Sequence, residues 1–171
     1  MTLKFTGERY LPWTLIGEIH YEHLHRYYFA KKFVNKKSVL DLACGEGYGS
    51  DILATSAKEV VGVDINREII LHAQKKYQKN NLTFLEGNLL KLPFTGDQKF
   101  DVVVCFEALE HVKEQSKVLD EIKKYLKKDG TLIISTPNKD TYKKNLDLED
   151  FHQKELTKKE FLNLLKKTGK M

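Results

Sequence analysis

The sequence predicts an α/β fold in which helices cover both faces of a doubly wound, mostly parallel sheet. Two observations predict it. Strand-sized apolar segments alternate with helical patterns along the chain, which is typical of parallel strands joined by helical crossovers. The segment at 100–106 is also nearly all apolar, and such strands are normally buried on both faces. At 171 residues the chain has the length of one domain.

Periodicity and boundary residues place each element in turn. A first helix is predicted over 17–34, where Leu24, Tyr27 and Val34 recur at helical spacing. A last helix is predicted to begin at Thr157, because Thr157 and Glu160 form the pattern of a capping box. Between these helices the sequence predicts strands at 38–42, 60–64, 82–85, 100–106 and 131–135, and helices at 50–57, 68–77 and 117–126.

Composition narrows the classes of function. The net charge is +5, but the excess is mostly paired Lys, and Arg occurs only at positions 9, 26 and 67. A groove for nucleic acid normally combines Arg with aromatic residues, so the sequence argues against a nucleic-acid partner. The apolar runs are far shorter than the roughly 20 residues of a membrane span, and the start does not resemble a signal peptide. With only two cysteines, a reducing, cytoplasmic environment is expected.

The ends of the first two strands carry the strongest functional signal. The first strand leads into a glycine-rich turn at 43–49, and the second ends in Asp64, 19 residues after Gly45. A glycine turn followed by a ribose-binding acid fits both a nicotinamide dinucleotide and another nucleoside. Ser50 replaces the third glycine of the dinucleotide pattern, and Asp41 and Glu46 bring carboxylates that oppose a pyrophosphate. These acids favour a cationic nucleoside such as S-adenosylmethionine.

Four segments in order resemble the class I S-adenosylmethionine-dependent methyltransferases: 39–47, 61–64, 100–107 and 130–137. The resemblance implies a Rossmann-like sheet of five strands in the order 3-2-1-4-5. It also implies S-adenosylmethionine as cofactor and methyl transfer to a small molecule, such as a sugar or another hydroxylated metabolite. Two alternatives stay open: a metal-assisted RNA 2′-O-methyltransferase, and a module that binds S-adenosylmethionine without catalysis.

The resemblance also implies roles for individual residues. The expected contacts to the cofactor come from Asp41, Ala43, Cys44, Gly45, Gly47, Asp64, Ile65, Asn88, Leu89 and Phe106. If the acceptor is a hydroxyl, a base must take its proton; His111 is the first candidate and Glu107 the second. We expect Cys44 and Cys105 to be buried as small apolar residues, although a disulfide between them is conceivable.

The N-terminal part resembles a bacterial subgroup of these enzymes that is associated with cell-surface sugar assembly. The matching segments are 6–12 and 22–27. We therefore divide the domain into an N-terminal lid or substrate segment, 1–37, and a cofactor-binding core, 38–171. Arg26 is expected to pair with the methionine carboxylate; the alternative is that this helix is an ordinary surface helix.

A metal ion is a further alternative, although no residue is assigned as a metal ligand. Glu107, Glu110 and His111 converge if their segment turns helically, and that run resembles the metal-binding turn of quinone-biosynthesis and small-RNA 3′-end methyltransferases. His152, followed by 155–161, fits the spacing of a further ligand in the RNA enzymes. Restoration of activity by Mg²⁺, Mn²⁺ or Co²⁺ after chelation would support a metal.

The last strands of the family fold are expected to be missing, because the chain ends shortly after its final predicted helix. The fifth strand would then form an uncovered edge, which favours pairing with another strand. A homodimer through this edge is the resulting prediction.

Overall fold

A parallel sheet of five strands, in the order β3-β2-β1-β4-β5, forms the centre of the computed structural model, which describes residues 18–141 and 152–167. Every pair of neighbouring strands is parallel. The strands are β1 (Ser38–Leu42), β2 (Glu59–Asp64), β3 (Leu82–Glu86), β4 (Phe100–Phe106) and β5 (Leu126–Ser135). The predicted fold class and strand order are confirmed.

Helices pack on both faces of this sheet. They are α1 (Glu18–Lys31), α2 (Tyr48–Ala54), α3 (Arg67–Lys76), α4 (Gln115–Tyr125) and α5 (Lys158–Lys167), with a 3₁₀ turn at Leu109–His111. Val39 on β1 belongs to the cluster that includes Tyr27 and Leu53 of α1 and α2. The next residue, Leu40, belongs to the cluster that includes Ile122 of α4. Successive residues of the central strand thus pack on opposite faces, which is why the strand is buried along its whole length.

Several helix boundaries and the start of β5 differ from the prediction. Helix α2 begins at Tyr48, two residues before the predicted start, directly after the last glycine of the turn with positive φ. Helix α4 ends at Tyr125, and β5 begins at Leu126 because that residue already pairs with Phe100. The register of β4 and β5 shifts between Phe100 and Val102, and residues 127–130 belong to the strand.

The predicted start of the last helix is confirmed in detail. The amide of Glu160 donates to the Thr157 hydroxyl at 3.2 Å, and the amide of Thr157 donates to the Glu160 carboxylate at 2.8 Å. This reciprocal pair satisfies two amides that a helix start would leave without intrahelical partners.

Helix α1 forms part of the core. Tyr27, Ala30 and Val34 are buried against α2 and the sheet. The segment 6–12 lies outside the described residues, and the division at 37/38 stays a prediction. Among the described residues β5 forms an edge of the sheet, and a homodimer through it also stays a prediction. Within 18–141 and 152–167, no helix has the length and apolar character needed to cross a bilayer.

Candidate functional site

The turn after β1 has a backbone that few side chains tolerate. Ala43, Gly45 and Gly47 all have positive φ, at 53°, 54° and 95°. At Gly47 a Cβ would also lie 2.8 Å from the Phe84 ring, so both conformation and space require glycine there. At Gly45 a Cβ would meet nothing within 4 Å, so the turn faces open space at this point. A ligand can therefore approach the backbone closely at Gly45.

Asp64 links the end of β2 to this turn. Its Oδ2 accepts the Gly45 amide at 3.0 Å, and its Oδ1 accepts the Asn66 amide at 2.9 Å. The two bonds fix the carboxylate beside the glycine turn, as the sequence predicted for an acid that binds a ribose. A carboxylate can accept about four hydrogen bonds, so these two amides do not exhaust its capacity.

Asp41 lies beneath the turn, fully buried, rather than on its surface. The Ser50 hydroxyl donates to its Oδ2 at 2.6 Å, and the Tyr27 hydroxyl donates to its Oδ1 at 3.2 Å. Ser50, which replaces the third glycine of the dinucleotide pattern, thus satisfies a buried carboxyl group. These two hydrogen bonds fix the Asp41 carboxyl group beneath the turn.

Replacement of Asp41 by Asn should reduce the pH dependence of stability. The pKa of Asp41 is raised to about 7, mainly by burial; the hydrogen bonds from Ser50 and Tyr27 act in the opposite direction and reduce this shift. The folded protein then keeps a proton that the unfolded chain releases, so the free energy of unfolding should fall as the pH rises from about 4 to about 7. The fall is at most about 4 kcal/mol, since one pKa unit corresponds to about 1.36 kcal/mol. Urea unfolding across this range should show a flatter profile for Asp41→Asn.

Asp101→Asn is the matched control for that measurement. A hydrogen bond from Lys127 is the main cause that lowers the pKa of Asp101 to about 2, so its contribution to stability changes below pH 4. Between pH 4 and pH 7, the free energy of unfolding of Asp101→Asn should fall as much as that of the parent protein. If the free energy of unfolding of Asp41→Asn falls as much as that of the parent, Asp41 is not the group that keeps a proton in the folded protein.

The structure corrects the prediction that the Glu46 carboxylate acts on a ligand at the turn. Its side chain is fully buried and points toward α3, where it forms an ion pair with Lys76 and accepts the Tyr77 hydroxyl at 2.8 Å. His72 lies 3.3 Å from the same carboxylate. The negative charge of Glu46 is therefore compensated inside the protein, and the argument for a cationic ligand depends on Asp64 and on the ionised fraction of Asp41.

The end of β4 brings the predicted transfer site next to α1. Glu107 has φ 48° and accepts the Ser135 hydroxyl at 2.5 Å on Oε1. The same oxygen lies 3.5 Å from Nη2 of Arg26. Phe106 contacts the Tyr27 ring edge-on, with 5.2 Å between the ring centroids. Helix α1 thus covers the carboxyl ends of β1 and β4, where ligands of parallel sheets bind.

Arg26 also carries a nitrogen that lacks a partner. Among the described residues, its Nη1 is buried without a hydrogen-bond partner, while Nη2 pairs with Glu107 and, at 4.0 Å, with Glu22. A buried donor without a partner costs about 1–3 kcal/mol. An anionic group at this point would remove that cost, so the structure fits the predicted pairing of Arg26 with a carboxylate.

A second group of polar side chains forms just beyond Glu107. Glu110 is 1% exposed, and its Oε2 accepts the Thr136 hydroxyl at 2.9 Å. Burial, and secondarily the nearby charge of Glu107, raise the pKa of Glu110. The rings of His111 and His152 meet edge-on at 5.2 Å between centroids. Of the four residues considered for a metal, the structure groups Glu110, His111 and His152.

The remaining predicted contacts have different surroundings. Ile65 is exposed beside Asp64, as a residue over an adenine ring would be. Asn88 is exposed, but its side-chain oxygen accepts the Leu90 amide at 2.8 Å, and Leu89 packs partly against the core. Cys44 and Cys105 are free and buried, and burial raises the pKa of both thiols. The predicted role of the cysteines as small buried residues is confirmed.

Three residues at the site were not singled out by the sequence analysis. The hydroxyl of Tyr27 donates a hydrogen bond to Asp41, that of Ser135 donates to Glu107, and that of Thr136 donates to Glu110. Ser135 ends the fifth strand and Thr136 follows it, so their position at the carboxyl end of a parallel strand was the available signal. Tyr27 gave only a helical pattern, which is typical of an ordinary core residue.

Comparisons with known proteins agree with this geometry. A family described as "Methyltransferase domain" matches residues 34–169. A protein of Mycolicibacterium smegmatis named "Probable S-adenosylmethionine-dependent methyltransferase" is 34% identical over an alignment of 177 positions, gaps included, which covers 98% of this chain and 65% of that protein. The chain thus spans less than two thirds of the length of this relative.

Two further matches cover parts of the chain. A protein of Glaesserella parasuis named "Ubiquinone biosynthesis O-methyltransferase" is 35% identical over 109 residues, which cover 60% of this chain and 46% of that protein. The crystal structure of the N-methyltransferase NodS from Bradyrhizobium japonicum, in complex with S-adenosyl-L-homocysteine, superposes with a TM-score of 0.73. That match has 18% identity and covers 91% of this chain and 78% of NodS, so it supports the fold alone.

Proposed function

Since the chain belongs to the methyltransferase-domain family and resembles its class I S-adenosylmethionine-dependent members, we propose that it methylates a hydroxyl group of a small molecule. A sugar or another hydroxylated metabolite is the proposed acceptor. S-adenosylmethionine would supply the electrophilic methyl group, carried on a sulfonium that leaves without needing protonation. The protein's task is then to position two reactants in line, which can correspond to effective molarities of about 10⁵–10⁸ M.

The placement of Asp64 beside Gly45 carries the proposal. The carboxylate is fixed by two backbone amides at the edge of the glycine turn, where it would accept the hydroxyls of the ribose. Ile65 would lie against the adenine, and the open space at Gly45 would admit the methionine portion. Arg26 Nη1 would bind the methionine carboxylate, which satisfies its missing hydrogen bond.

The residues after β4 support transfer to a hydroxyl. Glu107 is held by Ser135 and Arg26, and His111 lies four residues further along. A positioned base typically contributes about 10²–10⁴-fold to the rate of a proton transfer. The relative named as an O-methyltransferase also favours an oxygen acceptor over nitrogen or carbon.

Transfer of a labelled methyl group from S-adenosylmethionine tests the proposal. We expect label in a sugar nucleotide or a hydroxylated quinone precursor and none in RNA. His111→Asn should lower the rate about 10²–10⁴-fold without weakening binding of S-adenosylhomocysteine, if His111 is the base. His25→Asn, an exposed histidine on α1, is the control. Calorimetry that detects NAD but neither adenosyl compound would contradict the proposal, and label in RNA alone would overturn the acceptor class.

A further inference from the structure

We propose that Glu110, His111 and His152 bind a divalent transition-metal ion of the zinc type. One potential ligand atom from each side chain lies within 4.8 Å of the others. Glu110 and His111 belong to the turn after β4, whereas His152 comes from the segment before α5. Two imidazoles and one carboxylate suit Zn²⁺ or Co²⁺, while Mg²⁺ prefers oxygen ligands.

A carboxylate holds one ring nitrogen of His152. Its Nδ1 lies 2.7 Å from Oε1 of Glu155. If Nδ1 carries the proton of this hydrogen bond, Nε2 presents its lone pair to a metal. A carboxylate behind the second ring nitrogen is the usual support of a metal-binding histidine, because it fixes the tautomer and raises the basicity of the ligand.

Glu110 is oriented in a comparable way. Oε2 accepts the Thr136 hydroxyl, and Oε1 faces Nε2 of His111 at 4.0 Å. The carboxyl group is 1% exposed, so little solvent surrounds its charge. A divalent cation would supply the positive charge that this buried carboxylate requires.

The backbone holds the two segments together without a metal. The amides of Gln153 and Lys154 both donate to the Glu110 carbonyl, at 2.8 and 3.0 Å. The buried Gln115 side chain donates to the carbonyls of Leu109 and Lys154, at 3.1 and 2.7 Å. The three ligands are therefore placed by main-chain contacts, which is the support that a preorganised metal site needs.

Only small side-chain shifts separate this arrangement from a metal site. Tetrahedral ligands about 2.1 Å from an ion lie roughly 3.4 Å from one another. The observed 4.0 Å between His111 Nε2 and Glu110 Oε1 is therefore close to the required separation. Glu107 is bound by Arg26 and Ser135 and lies outside this group, so the proposed site has three protein ligands and open positions.

The open positions have a consequence that depends on the proposed function. They can take water, or a hydroxyl of the acceptor, whose proton becomes easier to remove when its oxygen binds a cation. A coordinated nitrogen of His111 cannot accept that proton at the same time. With metal bound, the proton would pass to Glu107 or to solvent rather than to the coordinated nitrogen.

Titration of the metal-free chain with Zn²⁺ or Co²⁺ tests the site without any assay of methyl transfer. We expect one equivalent to bind, with Co²⁺ absorption bands typical of a tetrahedral nitrogen and oxygen site, and little competition from Mg²⁺. Glu155→Gln should weaken binding about 10- to 100-fold, because it removes only the support of His152. His152→Ala should weaken binding further, and His25→Ala should bind as the parent does.

Each outcome of this titration supports or overturns the site. Equal binding by the parent and His152→Ala, or equal losses in His152→Ala and His25→Ala, would assign the metal to other surface groups and overturn the proposal. Far-ultraviolet circular dichroism of each metal-free variant shows whether it is folded; a misfolded His152→Ala leaves Glu155→Gln as the deciding variant. If the chain binds the metal but transfers no methyl group, only the proposed function is contradicted. If it transfers methyl groups but binds no metal, only the metal site is contradicted.

Discussion

Asp64→Asn should weaken the binding of S-adenosylmethionine about 10- to 100-fold while the protein stays folded. The substitution keeps the shape of the side chain but removes its charge, and hydrogen bonds to charged groups contribute about 1.5–3 kcal/mol each. The asparagine oxygen can still accept from Gly45 or Asn66, so the turn should keep most of its structure. Calorimetric titration with S-adenosylmethionine and S-adenosylhomocysteine measures the loss for both compounds.

Glu86→Gln is the matched control for this experiment. Glu86 pairs with Asp64 across the two neighbouring strands and lies at the same edge of the sheet, but its side chain is exposed. The control removes the same charge without touching the glycine turn. Similar losses of binding affinity in the two variants would mean that the overall negative charge at this edge of the sheet, and not Asp64 in particular, attracts the ligand. Unchanged binding in Asp64→Asn would remove Asp64 from the cofactor site.

The strand order and the glycine turn could be predicted because their signals are local. The apolar character of β1 and β4, and the position of Asp64 at the end of β2, are readable within a few residues of each element. The topology of parallel sheets then brings those strand ends together at one edge. Sequence reasoning therefore placed Asp64 beside the glycine turn, as the structure does, while its role toward a ribose stays a prediction.

The pairing of the charged side chains could not be predicted in the same way. Glu46 is compensated by Lys76, 30 residues away, and Arg26 meets Glu107 across 81 positions of the chain. Nothing within the turn indicates that Glu46 points inward. The start of β5 was also missed, because residues 127–130 are charged or turn-forming and join the strand only through pairing with β4.

Gly49→Ala should destabilise the protein by about 2–3 kcal/mol and weaken cofactor binding, although Gly49 lies in a helix. Alanine in a helix is normally favoured over glycine by about 1 kcal/mol, so propensity alone predicts the opposite result. A Cβ at this position would lie 2.0 Å from the Tyr27 ring, which is buried against α2 and has little room to move. Overpacking of this kind typically costs about 1–3 kcal/mol, and sometimes more.

The physical cause can be isolated with a second substitution at Tyr27. In a Tyr27→Ala background the ring is absent, so Gly49→Ala should cost far less, and the helix propensity of alanine should then dominate. Urea unfolding of the parent, both single variants and the double variant provides the coupling energy. The same cycle followed by titration with S-adenosylhomocysteine reports on the site, because Tyr27 also donates to Asp41 beneath the turn. If Gly49→Ala lowers the free energy of unfolding equally in both backgrounds, the Tyr27 ring is not the reason that glycine is required at position 49. Helix α1 would then have no part in shaping the glycine turn through this contact.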